Sequence, residues 1–129
     1  MSCKDGDAGN CYSAALAAEH LQYEAISQAL FMKACRLGIP SGCTNRAMGR
    51  LNQGTDRDNC AVKTFERTCS ADDPWGCTMF GYFLYEGSDI TRDAEKAREV
   101  LRKSCRFGDE DQACQFGKAI LQRIKEDEQ

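Results

Sequence analysis

Among its 129 residues the sequence has only two Val, five Ile and two Pro. So few β-branched residues beside fifteen Ala disfavour strands and favour helices. Charge of one sign is also lacking. Seventeen basic and twenty acidic residues leave a formal charge of −3, which supplies no drive toward nucleic acid or an anionic membrane. No apolar run approaches the roughly 18–20 residues of a membrane span, so membrane insertion is not expected. No signal-peptide core follows Met1. The sequence holds a single His, His20, and no Cys-x-x-Cys pair, so a thioredoxin-type exchange activity lacks its signature. There is no Ser-x-x-Lys, no nucleophile elbow and no His poised beside a Cys. A catalytic site, a metal and a cofactor are therefore not expected, and the length is that of one domain.

Cysteine, by contrast, is abundant. Nine Cys stand at positions 3, 11, 35, 43, 60, 69, 77, 105 and 114. Eight fall into pairs: Cys3/Cys11, Cys35/Cys43, Cys69/Cys77 and Cys105/Cys114. First members recur after 32, 34 and 36 residues and second members after 32, 34 and 37. A period in the thirties with slight drift is the mark of a helical solenoid. The reading is one all-α domain, 1–129, of about three and a half α/α-hairpin repeats. The repeats run roughly 3–34, 35–68, 69–104 and 105–127, the last a C-terminal capping helix.

Local signals place two helices in each repeat. In the third, Asp73-Pro74 supplies a cap and a Pro at the first helical position; the helix runs to Glu86 and stops at Gly87. Thr91 is expected to cap the next helix, with Asp93 in its first turn and its end at Cys105. Asp109 with Gln112 resembles a capping box opening a terminal helix to about Glu126, and the tail Lys125–Gln129 is expected to be a solvated, fraying end. In the second repeat the helices cover about Gly42 to Asn52 and about Arg57 to Ser70, with Gly54 between them. No Gly or Pro lies between Cys11 and Cys35, yet one unbroken helix there would span about 37 Å. A turn near His20–Gln22 is required if both Cys are to reach the same stack. Four residues before Cys35, Cys69 and Cys105 stand Phe31, Phe65 and Leu101; eight before stand Ser27, Ala61 and Ala97. Large and small residues one turn apart suit close helix packing.

Each Cys pair would join the last turn of one helix to the first turns of the next. Neighbours packed 8–10 Å apart bring such Cα atoms within disulfide range. Four rings of about nine residues would contribute on the order of 10 kcal/mol in the chain-entropy model. Structural zinc, the chemical competitor, favours Cys two to four residues apart, often with His. Cys114 is rotated about 100° around its helix relative to the other second members, so its bridge to Cys105 is the least secure. Cys60 is left over, as a small buried hydrophobe or as a free thiol open to an intermolecular or substitute disulfide.

The run Cys77-x-x-Phe80-Gly81-x-x-Leu84-x-x-Gly87, then Asp93-x-x-x-Ala97, resembles the Sel1-like repeat pattern. Cys pairs eight apart are similar to its cysteine-rich branch, which includes the Helicobacter cysteine-rich secreted proteins and a mitochondrial cytochrome oxidase assembly factor. Repeat two departs from the pattern, with Arg46 for Leu and Ala47 for Gly. The resemblance implies a right-handed tetratricopeptide-like superhelix stapled by one disulfide per repeat and acting as a protein-interaction scaffold. It also implies the alternative of a small-molecule or cofactor protein handling haem, copper or a β-lactam, for which no residue motif can be placed here.

In such stacks the first helices line a concave groove. Counting from positions 11, 43, 77 and 113, the outward column is Tyr12, Leu16, Thr44, Met48, Asn52, Thr78, Tyr82, Glu86, Lys118 and Gln122, expected to bind a partner protein or peptide. His20 also falls in that column and receives no catalytic role. Phe83 and Tyr85 rim the groove or pack the next hairpin, and Trp75 caps a helix end. The chain is expected to be a monomer, with a Cys60-linked dimer as the alternative. Paired bridges imply an oxidising compartment: the bacterial periplasm or the extracellular space in preference to the mitochondrial intermembrane space.

Overall fold

The structure is a computed structural model that describes Cys3 and residues 6–57 and 59–128. Among these residues there are seven helices and no strand. They are α1 (Ala8–His20), α2 (Glu24–Arg36), α3 (Pro40–Asn52), α4 (Cys60–Ser70), α5 (Pro74–Glu86), α6 (Ala94–Lys103) and α7 (Gln112–Asp127). They fall into two compact units, 1–57 and 58–129. In the first, α2 packs on both α1 and α3; in the second, α5 packs on α4, α6 and α7, and α6 also packs on α7.

Helix starts follow local chemistry. The carboxylates of Asp7, Asp73 and Asp93 accept from the N–H groups of Asn10 (3.0 Å), Gly76 (3.2 Å) and Lys96 (3.0 Å), satisfying donors the helix itself cannot. Pro40 and Pro74 occupy the first helical positions of α3 and α5. The cap of α6 is thus Asp93 and not Thr91, because its carboxylate reaches the backbone N–H three residues on. Asp109 and Gln112 form no capping box: Asp111 is the N-cap of α7 and makes no side-chain cap bond. α6 ends at Lys103, leaving Cys105 in the turn that follows, and α4 begins at Cys60 rather than near Arg57. At the other end, Lys125 to Asp127 continue α7, while Gln129 lies outside the described residues.

The turn between α1 and α2 forms without Gly or Pro. Gln22 adopts φ +65°, the left-handed conformation that ends many helices. The Gln22 N–H donates to the Glu19 carbonyl (2.9 Å) and the Tyr23 N–H to the Ala18 carbonyl (2.9 Å), the paired pattern of a Schellman motif. The same pair of bonds recurs one repeat-half later. There Gly38 donates to Cys35 and Ile39 to Ala34, each at 3.0 Å.

The residues one and two turns back from the helix-end Cys are buried as their spacing implies. Phe31, Phe65, Leu101 and Ala97 are fully enclosed, with Ser27 and Ala61 nearly so. The two cores differ in substance. Unit one holds Phe31 among Ala15, Ala18, Ala34 and Ala47, whereas unit two buries Val62, Phe65, Phe80, Phe83, Leu84, Val100, Leu101, Ile120 and Ile124. A thin Ala-rich core buries little apolar area per residue, so unit one depends more on covalent constraint.

Gly42 marks a close backbone approach beside the Cys35–Cys43 disulfide. A Cβ there would stand 2.8 Å from the backbone N of Cys35 and 2.8 Å from the Phe31 carbonyl. Backbone atoms cannot move aside as a flexible side chain can. Gly42→Ala is expected to destabilise unit one by about 1–3 kcal/mol, read as a lowered urea midpoint of the unreduced protein. An unchanged midpoint would mean that α2 and α3 do not meet this closely.

Candidate interaction surface

Four disulfides each join cysteines eight or nine residues apart. Cys3 is bonded to Cys11, Cys35 to Cys43, Cys69 to Cys77 and Cys105 to Cys114, with Cα separations of 4.3, 4.6, 4.3 and 4.4 Å. Each lies inside one unit. The extra residue in the last spacing is absorbed by the turn after α6, so Cys114 reaches Cys105 although Ala113 is the residue in register with Cys77. Cys60 is free and exposed at the first position of α4; it is not the buried hydrophobe that one reading of the sequence offered. Among the described residues no three His, Cys, Asp or Glu side chains gather closely enough to hold a metal ion.

The ten residues expected on the outward column separate into distinct environments. Thr44 and Thr78 are 0% and 2% exposed and do not line a surface. Thr78 lies within unit two, where its hydroxyl donates to the Ala113 carbonyl at 2.8 Å. The positions one residue after Cys43 and Cys77 are therefore buried and do not point outward. Tyr12 is half-buried against Phe31, ring centroids 5.9 Å apart, and its hydroxyl accepts from Asn45 Nδ2 at 3.1 Å. Leu16 is exposed on α1.

Met48 and Asn52 line a cavity of about 400 Å³ in unit one, together with Glu19, Gln22, Glu24, Ser27, Gln28, Asn45 and Gly49. Its wall is rich in primary amides, each offering a donor and an acceptor as a peptide group does. Gln28 accepts from Arg46 Nη1 at 3.3 Å, and Gln53 Nε2 donates to Glu24 at 3.3 Å. The Gln28 amide fills the space a Cβ on Gly49 would need. Repeat two, which carries Arg46 and Ala47 where the pattern has Leu and Gly, has thus moved its close helix contact to Gly49 and Gln28. The partnership of Arg46 with Gln28 was not legible in the motif, which has Leu at the position of Arg46 and no residue at that of Gln28.

In unit two Tyr82 is half-buried beside Phe83, with rings 5.8 Å apart edge to face, and Glu86 pairs with Arg123 at 3.7 Å. Phe83 packs on Phe65, ring centroids 5.8 Å apart. The Tyr85 hydroxyl donates to the Asp127 carboxylate. That bond, then burial and the nearby negative charge of Asp127, raise the phenol above its ordinary value. Phe83 and Tyr85 are therefore packing residues, as is Trp75, whose ring lies 5.4 Å from Phe116. Lys118 and Gln122 occupy a separate cleft between α6 and α7.

A solved structure shares this arrangement. Helicobacter pylori cysteine rich protein B is 28% identical, with a TM-score of 0.56 over 68% of this chain and 67% of that one. The chain carries the cysteine-rich Sel1-like repeat fold. No protein-family model and no curated protein matches the sequence. The Sel1-like class of helical-hairpin solenoids is a scaffold for protein interaction, and here its joints are covalently closed. Four disulfides fit an oxidising environment outside the reducing cytosol. No helix among the described residues is long and apolar enough to cross a membrane.

Proposed function

We propose that the chain is a non-catalytic scaffold that binds a partner protein or peptide on the outward faces of its first helices. The observation that carries this reading is the amide-lined cavity of about 400 Å³ in unit one. Met48 at its wall offers an adaptable apolar contact. Gln28, Asn45 and Asn52 supply groups of the right kind for a peptide backbone. Exposed Leu16 on α1, and Tyr82 with Glu86 in unit two, extend the proposed binding residues. Thr44 and Thr78 are excluded by their burial. The proposed compartment is the bacterial periplasm or the extracellular space, where disulfides form and persist, and the proposed oligomeric state is a monomer.

Site-specific photo-crosslinking tests the surface. A photoreactive amino acid placed at Met48 or Tyr82, in cells that make the protein, is expected to yield a discrete adduct with one partner. The same group at Leu37, exposed where α2 ends, is expected to yield none. Equal adducts at all three positions, or none at Met48 and Tyr82, would rule the surface out.

A further inference from the structure

α6 and α7 turn a basic cleft outward from unit two. The buried side of α6 is Ala97, Val100 and Leu101. Arg98 and Arg102 stand one turn apart on its flank. On α7, Lys118, Leu121, Gln122 and Lys125 fall three, four and seven residues along, which puts them on one face. These two rows enclose a cleft of about 480 Å³, with Glu128 at its edge. Its lining thus holds four cations and one carboxylate, in a chain whose formal charge is −3. Arg98 pairs with Glu128 at 2.6 Å and Lys118 with Asp109 at 2.9 Å. Arg102 and Lys125 have no carboxylate partner among the described residues, so positive charge is left over where the helices meet.

From this geometry we infer that the α6–α7 cleft is a docking site for a carboxylate-rich peptide segment of a partner protein. Two guanidinium groups, planar and forked, suit carboxylates. The half-buried Leu121 gives the segment one apolar contact. The lining favours a peptide over a nucleic acid, because no aromatic residue is present for bases to stack on, and stacking supplies much of single-strand binding. This site is distinct from the residues proposed above, Met48 in unit one and Tyr82 in unit two, and the two tests fail separately.

The probe is a fluorescein-labelled peptide of repeated Glu-Glu-Leu, titrated against the intact, unreduced chain by fluorescence polarisation. Saturable binding below about 1 mM is expected, weakening as salt rises from about 0.15 to about 1 M and the Debye length falls from about 8 to about 3 Å. Arg102→Glu with Lys125→Glu is expected to weaken binding roughly tenfold or more, with an unchanged circular dichroism spectrum. Reversal of Lys63 and Arg67, exposed on α4, alters net charge equally and is expected to leave affinity as it was. The site is overturned if the peptide with Gln in place of Glu binds equally well, or if an oligothymidylate binds more tightly. Equal weakening by both double reversals, or no saturation at all, overturns it too.

Discussion

Reduction of the four disulfides is expected to unfold the chain, and to unfold residues 1–57 before residues 58–129. In the chain-entropy model each ring of about nine residues contributes roughly 2.6 kcal/mol, so the set amounts to on the order of 10 kcal/mol. That matches the whole net stability of an ordinary domain, about 5–15 kcal/mol. The effect operates on the unfolded chain, which gains freedom once the cross-links open. The order of loss follows from the cores. Phe31 is the one large side chain buried with several Ala in the first unit, while the second buries Phe65, Phe80, Phe83, Leu101 and Ile124. Hydrogen exchange read by mass spectrometry during titration with a phosphine reductant would follow each unit separately. Loss of protection in α1–α3 ahead of α5–α7 is the expected result. Full protection throughout in reduced protein would mean that burial alone sustains the fold.

Phe65→Ala is expected to carry the largest effect of any single core truncation in unit two. Its side chain is wholly enclosed and its ring lies 5.8 Å from that of Phe83. Removing it deletes buried apolar atoms and leaves a void between α4 and α5 that the bridged joint at Cys69–Cys77 limits from collapsing. Such truncations cost about 3–5 kcal/mol, or on the order of 20 °C in melting temperature for a unit of this size. Thermal melts of the unreduced protein would show it. A shift under about 5 °C would contradict the placement of this residue at the centre of the unit.

The architecture was legible because three independent signals shared one period: the Cys pairs, the Phe31/Phe65/Leu101 series and the helix punctuation at Asp73-Pro74 and Gly87. Even the turn after α1 could be reached by a length argument. Its mechanism could not, since a Gln in left-handed backbone gives no compositional warning; it is held by the carbonyls of Ala18 and Glu19. Caps misled where two acceptors competed, as Thr91 and Asp93 did. The short reach of the Asp93 carboxylate to Lys96 N decided the outcome. The outward column was the least legible feature. Thr44 and Thr78 sit at positions where a helical wheel points outward, yet both are buried, Thr78 against the Ala113 carbonyl at the start of α7. Burial on more than one side is a property of stacking that one helix's periodicity does not contain. The basic cleft was invisible for the same reason. Its cations come from two helices, and they converge only once α6 folds back on α7.

Pairing of eight cysteines into these four bridges, with Cys60 left outside, is tested most directly by alkylating the native, unreduced protein and mapping its peptides without reduction. The expected map shows Cys3 linked to Cys11, Cys35 to Cys43, Cys69 to Cys77 and Cys105 to Cys114, with the alkyl label confined to Cys60. Label on several of the eight paired cysteines, or links joining members of different pairs, would contradict it.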